Sequence, residues 1–304
     1  MNAAPAPHKI AYLVPDLKIP FWHYLRRGID DAASATGLDV IVLQSLQKPD
    51  LEMQNARDAV AAGVKGIIIS PIDSYSSPAV LNYCNEIGMP VILADLGTKS
   101  GEYLSYVKSD NVAGAYGMGK ALALKLAERG WENEPIGIVS IRHEENRAER
   151  FEGFRKATKE AGIGDVEVVR QLDKHNADYA YLITKEMLAS TPGIRGIFVM
   201  ADHPTYGTMR AIEEAGLDGQ IIVAAFDAEI ELVSLIRSGR VIGTGMQQPY
   251  AIGVRSAELF AAHFRGETIP KVVTIPTVVV TTETLSSQIA AINQAVFAGE
   301  LVGP

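Results

Sequence analysis

The chain contains itself twice, at low fidelity. GVKGIIISPID, from Gly63 to Asp73, returns 130 residues on as GIRGIFVMAD, from Gly193 to Asp202. VILAD (Val91 to Asp95) is answered 132 residues later by VAAFD (Val223 to Asp227), and the helical segment around Gly28 is answered 125 residues later by the one around Gly153. Three echoes in one order and near one spacing indicate a duplicated α/β half. Duplication makes the strand ends of the two halves equivalent, so a ligand site is expected between the halves, drawing residues from both.

Length agrees with this, because single cores tend to split into domains beyond about 250–300 residues and this chain has 304. Short β-branched runs alternate with helical periodicity, the pattern of a parallel sheet wrapped by helices. Strands are expected at 9–14, 39–43, 66–70, 90–94, 136–140, 166–170, 196–200 and 221–226, each nearly continuously apolar as strands covered on both faces are. Beyond them lie VIGTGM (241–246), a helix near 250–265 and a strand-like VVTIPTVVV (272–280). This remainder is too small for a third domain, so it is expected to complete the two halves. The chain would then cross between them near Ser109-Asp110-Asn111, Gln247-Gln248-Pro249 and Pro276, and LSSQIAAINQAVFAGE would form a helix on a domain surface.

The net charge of −8 comes without a concentrated basic patch, which argues against a nucleic-acid surface. Cys84 is the single cysteine, so no internal disulfide or cysteine metal site can form, and its helical setting predicts a core position. No apolar run reaches the roughly 20 residues that span a bilayer. MNAAPAPH lacks the basic and apolar regions of a signal peptide; AAPAP followed directly by a strand reads as the start of a mature exported protein, with a cytoplasmic protein as the alternative.

In parallel α/β sheets ligands gather beyond the carboxyl ends of the strands, which directs attention to VPDLKIPFW, ADLG, SIRHEENRAERFEGF, MADHPTYG and FDAEIE. In the first, Pro20 suits a helix start and pushes Ile19 toward extended geometry. Adjacent aromatics cannot both face a core one helical stripe wide, so at least Trp22 beside Phe21 is expected to meet a ligand. Asp95 and Asp227 follow equivalent strands and read either as ligand acids or as helix caps; Asp202 reads as a cap. If Asp227 serves a ligand, replacing it with Ala should weaken binding and leave stability nearly intact. Arg150 offers a fork of donors suited to hydroxyls or carboxylates, or else forms with Arg147, one helical turn earlier, a solvent-facing pair that bridges Glu149 or Glu144.

Enzymatic signatures fail in turn. GAYGMGK (114–120) lacks the spacing of a phosphate loop and sits in a helical stretch, no GxSxG occurs, and the six histidines show no HxxxH or HExxH pairing. No cofactor, no metal and no catalytic residue are expected.

IPFW near the start, ADLG, SDNVAGAYGMG, ERFEGF, FD and MQQPYAIG, in this order across about residues 8–280, resemble the ribose-type periplasmic binding proteins, of the type I fold. The resemblance implies two doubly wound lobes, three hinge crossings and a sugar held between aromatic rings for delivery to an ABC importer. By position, Phe21 and Trp22 match the family's paired aromatics, Asp95 and Asp227 its two acids, Arg150 its arginine and Gln247 the glutamine near the last hinge. There are departures: Ile19 and Ala201 replace asparagines, Leu96 an arginine, Pro15 a small polar residue, and His175 falls near a position often aromatic. An unpaired buried hydroxyl costs about 1–3 kcal/mol, so losing these anchors points away from ribose toward a less hydroxylated sugar, a polyol or another small polar molecule.

The expected fold is therefore α/β: two similar doubly wound parallel-sheet lobes with the ligand cleft between them, 8–109 plus 248–275 forming one and 110–247 plus 276–304 the other. The expected protein is a non-enzymatic, monomeric periplasmic receptor for a small ligand, with an ABC permease as partner and Phe21, Trp22, Asp95, Arg150, His175, Asp227 and Gln247 as ligand residues. Trp22 with the two acids could alternatively cage a methylamine N-oxide for presentation to a sensor kinase. A LacI-type repressor core would need roughly 50–60 residues of basic helix-turn-helix ahead of it, where this sequence has eight residues before its first strand.

Overall fold

A computed structural model describes residues 8–142, 144–174 and 176–301. His175 and the segment expected to be a mature N-terminus lie outside the described residues. The chain forms two compact units, one from the residues up to Ser109, Gln248–Ile275 and the residues from Asn293 on, the other from Asp110–Gln247 and Pro276–Ile292.

The first unit opens with β1 (His8–Val14), α1 (Pro20–Thr36), β2 (Leu38–Gln44), α2 (Pro49–Ala61), β3 (Ile67–Ile69), α3 (Pro78–Glu86), β4 (Val91–Ala94) and β5 (Ser105–Ser109). The second follows with α4 (Asn111–Glu128), β6 (Ile136–Ser140), α5 (Glu144–Glu160), β7 (Glu167–Gln171), α6 (Ala177–Ser190), β8 (Gly196–Val199), α7 (Asp202–Glu214), β9 (Ile222–Phe226), α8 (Ile230–Arg237) and β10 (Gly243–Met246). The chain then gives α9 (Pro249–Phe264) and β11 (Val272–Ile275) to the first unit and β12 (Val278–Thr281) to the second, ending in α10 (Leu285–Ala295).

The first sheet runs β11-β5-β4-β3-β1-β2, the second β12-β10-β9-β8-β6-β7. All pairings are parallel except β10 with β12, which is antiparallel. The continuous apolar runs become the central strands β3, β4, β6, β8 and β9, buried throughout, while β2 and β7 are edges and partly exposed. Alternation along β1 divides the core of the first unit into two layers. Ile10, Tyr12 and Val14 pack with Leu25 and Ile29 of α1 and Ile252 and Phe260 of α9. Ala11 and Leu13 pack on the other face with Ala56 and Ala59 of α2 and Val80, Leu81 and Cys84 of α3. Cys84 is thus a core residue, and burial pushes its thiol up to about 12.

The repeated glycines mark places where main chains touch. A Cβ on Gly28 would lie 2.1 Å from the Tyr250 carbonyl oxygen of α9, and one on Gly153 would lie 2.0 Å from the Val112 carbonyl oxygen of α4. Each repeat therefore packs its first helix against a late or early neighbour at a distance only glycine permits.

The structure departs from the sequence pattern at three places. SYVKS forms β5, a strand not expected. The run 272–280 is two strands in different sheets, because Pro276 cannot donate to a ladder. The terminal stretch expected in the second lobe instead joins the first unit from Asn293 on, where the fully buried Phe297 meets Tyr24 edge-on at 5.6 Å and Glu300 pairs with His23 and Arg27 of α1. No helix among the described residues is long and apolar enough to cross a membrane.

Candidate functional site

Asp95 and Asp227 end equivalent strands in the same uncommon conformation, with φ of 74° and 76°. A left-handed residue other than glycine costs about 1–2 kcal/mol, and it persists only where its surroundings hold it. Both turns are held alike. Asp95 N–H donates to the Val107 carbonyl (2.9 Å) and Asp227 N–H to that of Gly245 (3.0 Å). The Tyr106 hydroxyl donates to the Asp95 carbonyl (3.0 Å) and the Thr244 hydroxyl to that of Asp227 (2.7 Å). Neither acid caps a helix: the N-cap of α8 is Glu229, and the element after Asp95 is a strand. Asp202 also differs from its expected role, as the first residue of α7 behind an Ala201 N-cap.

In the second unit Arg150 is 2 % exposed and anchors a polar cluster. Its Nε donates to Asn111 Oδ1 (2.9 Å), Nη1 to the Met200 carbonyl and to Asp227 Oδ2 (3.3 Å), and Nη2 to Asp227 Oδ1 (3.1 Å). Gln247 Nε2 donates to Asp227 Oδ1 as well, which fixes the orientation of that amide. Gln247 Oε1 and Asn146 Oδ1 are buried and have no hydrogen-bond partner among the described residues. Arg147, expected as a companion of Arg150, instead reaches Gln171 at the surface. The structure thus brings Arg150, Asp227 and Gln247 together and adds Asn111, which the sequence pattern did not single out. Asn146, one turn before Arg150 on α5, was equally missed, although that spacing puts both on one helix face.

In the first unit Phe21 and Trp22 are both buried, 8 % exposed each, with their rings edge to face at 4.8 Å. Both belong to the apolar layer of β1, α1 and α9, which also takes in Leu96 and the partly buried Leu17 and Ile19. The premise that adjacent aromatics cannot both be buried fails here because the first turn of α1 is covered by the preceding loop as well as by the sheet. Leu96 and Ala201, standing where polar residues were expected from the resemblance, are buried at 5 % and 0 %.

Beside the Asp227 turn lies a second cluster that the sequence pattern did not reveal. Glu229 is 5 % exposed. Its Oε1 lies 2.9 Å from His203 Nε2, and its Oε2 accepts the Tyr206 hydroxyl at 2.7 Å. The bond to Glu229, reinforced by Asp202 and Glu231 against partial burial, lifts the His203 imidazole up to about 9. Burial and the same Glu229 push the Tyr206 hydroxyl upward. No group of three metal-ligating side chains occurs among the described residues.

A family model of the periplasmic binding protein domain matches residues 10–268. The chain belongs to the periplasmic binding protein family. Among the relatives of this binding protein, the ribose import binding protein of Haemophilus influenzae is 29 % identical over 256 residues, covering 83 % of this chain and 84 % of the relative. The periplasmic ribose ABC transporter protein of Conexibacter woesei superposes with a TM-score of 0.86 at 24 % identity, covering 97 % of this chain and all of the other. A carbohydrate transporter solute binding protein from Agrobacterium radiobacter, in complex with D-arabinose, gives 0.85 at 22 % identity, over 96 % of this chain and all of the other. These two structures establish the type I fold.

Chemically, this binding protein offers in its second unit a guanidinium whose charge is already matched by Asp227, beside two buried amide oxygens able to accept. Such oxygens can accept hydrogen bonds from donors on a neutral molecule. The arrangement is poorly suited to an anion, which would compete with Asp227 for Arg150.

Proposed function

We propose that the protein captures a neutral, hydroxylated small molecule, a sugar or polyol other than ribose, in the periplasm and presents it to an ABC importer. Phe21, Trp22 and Asp95 of the first unit and Arg150, Asp227 and Gln247 of the second are its ligand residues, with His175 as a further one. A ligand that binds one conformation better than another shifts the population toward the bound form, the form a permease would read. The three relatives described above, each named as a binding or transport protein, support this class of function.

The observation that carries the chemical class is the Gln247 amide. Its nitrogen is committed to Asp227 and its buried oxygen lacks a partner among the described residues, so a hydroxyl that donates to it removes a cost of about 1–3 kcal/mol. Trimethylamine N-oxide has no proton to donate there. Asp227, engaged by Arg150 and Gln247, is also a weak cage for a cation. Both points weigh against the sensory alternative, which finds no counterpart among the relatives named above.

A thermal-shift series with D-ribose, D-arabinose, D-allose, myo-inositol and trimethylamine N-oxide tests the proposal. A ligand present at 100 times its Kd stabilises by about 2.7 kcal/mol. Stabilisation by a sugar or by inositol, strongest with a compound other than ribose, is the expected result; a response to the N-oxide alone would overturn the proposal.

A further inference from the structure

The two repeats brace their acid turns from the same station with different chemistry. In the first unit, Ser74 directly follows Asp73, and its hydroxyl donates to the carbonyl of Gly97 (3.0 Å), two residues beyond Asp95. In the second, where the segment is one residue shorter and Asp202 answers Asp73, His203 directly follows Asp202, and its Nε2 lies 2.9 Å from Glu229, two residues beyond Asp227. A neutral bond to main chain in one half is thus an ion pair to a buried side chain in the other, doubled by the Tyr206 hydroxyl at 2.7 Å.

The loop after β9 needs such a brace. Asp227 is left-handed, and its carboxylate must stay in register with Arg150, 3.1 Å away. The strand side of the turn is held by Thr244 and Gly245. Its far side is held through Glu229, whose carboxylate lies buried against α7.

We infer that Glu229 is a positioning residue, through which His203 and Tyr206 hold the left-handed turn that sets the Asp227 carboxylate on Arg150. The inference rests on the reading of Asp227 as a ligand-binding acid. Groups that act on the His203 charge are Glu229 and Glu231 from the loop and α8, and Asp202 and Tyr206 from α7. The acids among them hold the imidazole protonated up to about pH 9, so the brace is intact at neutral pH and loosens above that.

The test uses the intact chain and the variants Glu229→Ala, Tyr206→Phe and His203→Gln. Calorimetry with D-ribose, D-arabinose, D-allose and myo-inositol at pH 7 and pH 10 gives affinities, and NMR of the ligand-free protein gives the exchange rate of the Arg150 guanidinium protons. Glu229→Ala is expected to weaken the tightest-binding of these compounds by roughly tenfold to a hundredfold, as a small misplacement of a binding group does, and to speed Arg150 exchange; Tyr206→Phe does both to a smaller extent. Wild-type affinity should fall from pH 7 to pH 10 more steeply than that of His203→Gln.

Wild-type Arg150 exchange in Glu229→Ala, or matching pH profiles for the wild type and His203→Gln, would overturn the inference. Should Glu229→Ala not fold, Tyr206→Phe, which keeps the ion pair, decides by the same two readouts. If none of the four compounds binds the wild type, the sugar reading fails on its own and Arg150 exchange alone judges the brace.

Discussion

The guanidinium carbon of Arg150 lies 3.9 Å from the centre of the Phe226 ring, so the residue before the Asp227 turn supports the arginine face-on. A planar guanidinium stacks in this way and still reaches Asn111, Met200 and Asp227 at its edges, whereas an ammonium cannot do both. Arg150→Lys is therefore expected to lower ligand affinity by roughly tenfold to a hundredfold, the worth of one or two charged hydrogen bonds. Calorimetry on the folded variant checks it, and unchanged affinity would remove Arg150 from the site.

Asp227→Ala should affect stability as well as binding. The sequence pattern alone suggests a nearly neutral change in stability, but Asp227 is the charge partner of a fully buried arginine. Leaving one member of such a pair unmatched costs about 3–5 kcal/mol. Chemical denaturation should show a loss of that order together with the loss of binding; a stability change below ~1 kcal/mol would mean that Arg150 finds other compensation.

Glu52 gives the first unit a pH dependence of its own. Burial pushes its carboxyl up to about 7 despite bonds from Ser77 and the Ile72 N–H, with Asp73 adding to the rise. The folded state therefore keeps a proton that the unfolded chain releases near pH 4.5. Its contribution is full below that value and is lost as pH rises through about 7, a change of ~3 kcal/mol. Denaturation curves from pH 4 to 8 should show this decline in the wild type and a flatter profile in Glu52→Gln; parallel profiles would refute it.

Gly28→Ala and Gly153→Ala place a methyl group within 2.1 and 2.0 Å of carbonyl oxygens. Main chain cannot yield as a side-chain tip does, so each should cost at or beyond the upper end of the ~1–3 kcal/mol typical of overpacking. Melting temperatures measure it. Gly37, whose added Cβ meets nothing within 4 Å, supplies the contrast, since only its left-handed φ of 72° resists substitution.

Of the eight strands that carry the repeat, the inner ones β1, β3, β4, β6, β8 and β9 were legible because they are buried and written in nearly continuous apolar letters, and the partly exposed edges β2 and β7 by their β-branched runs. SYVKS was not, since Ser105 and Lys108 interrupt the run although Tyr106 and Val107 are buried. Arg150, Asp227 and Gln247 could be nominated from their places after strands and near a crossing. Nothing in the local sequence tells that their carboxylate, guanidinium and amide meet, because that depends on α4 packing against both α5 and β9 and on β10 running beside β9. Glu229 and His203 were hidden for the same reason: a glutamate after FDA and a histidine after an acid look like solvated loop residues until the fold buries one and sets the other against it.

Only Pro276 and Thr277 separate β11 from β12, so a single short run of chain finishes both sheets. A fragment ending at Ser109 would lack β11 and also α9, the helix whose main chain abuts Gly28; one ending at Gln247 would lack β12 as well. Each copy taken alone is thus short of one strand of its own sheet. What reads as a tandem repeat along the sequence has become a splice in three dimensions, and proteolysis or truncation between the copies should release unstructured fragments in place of two stable domains.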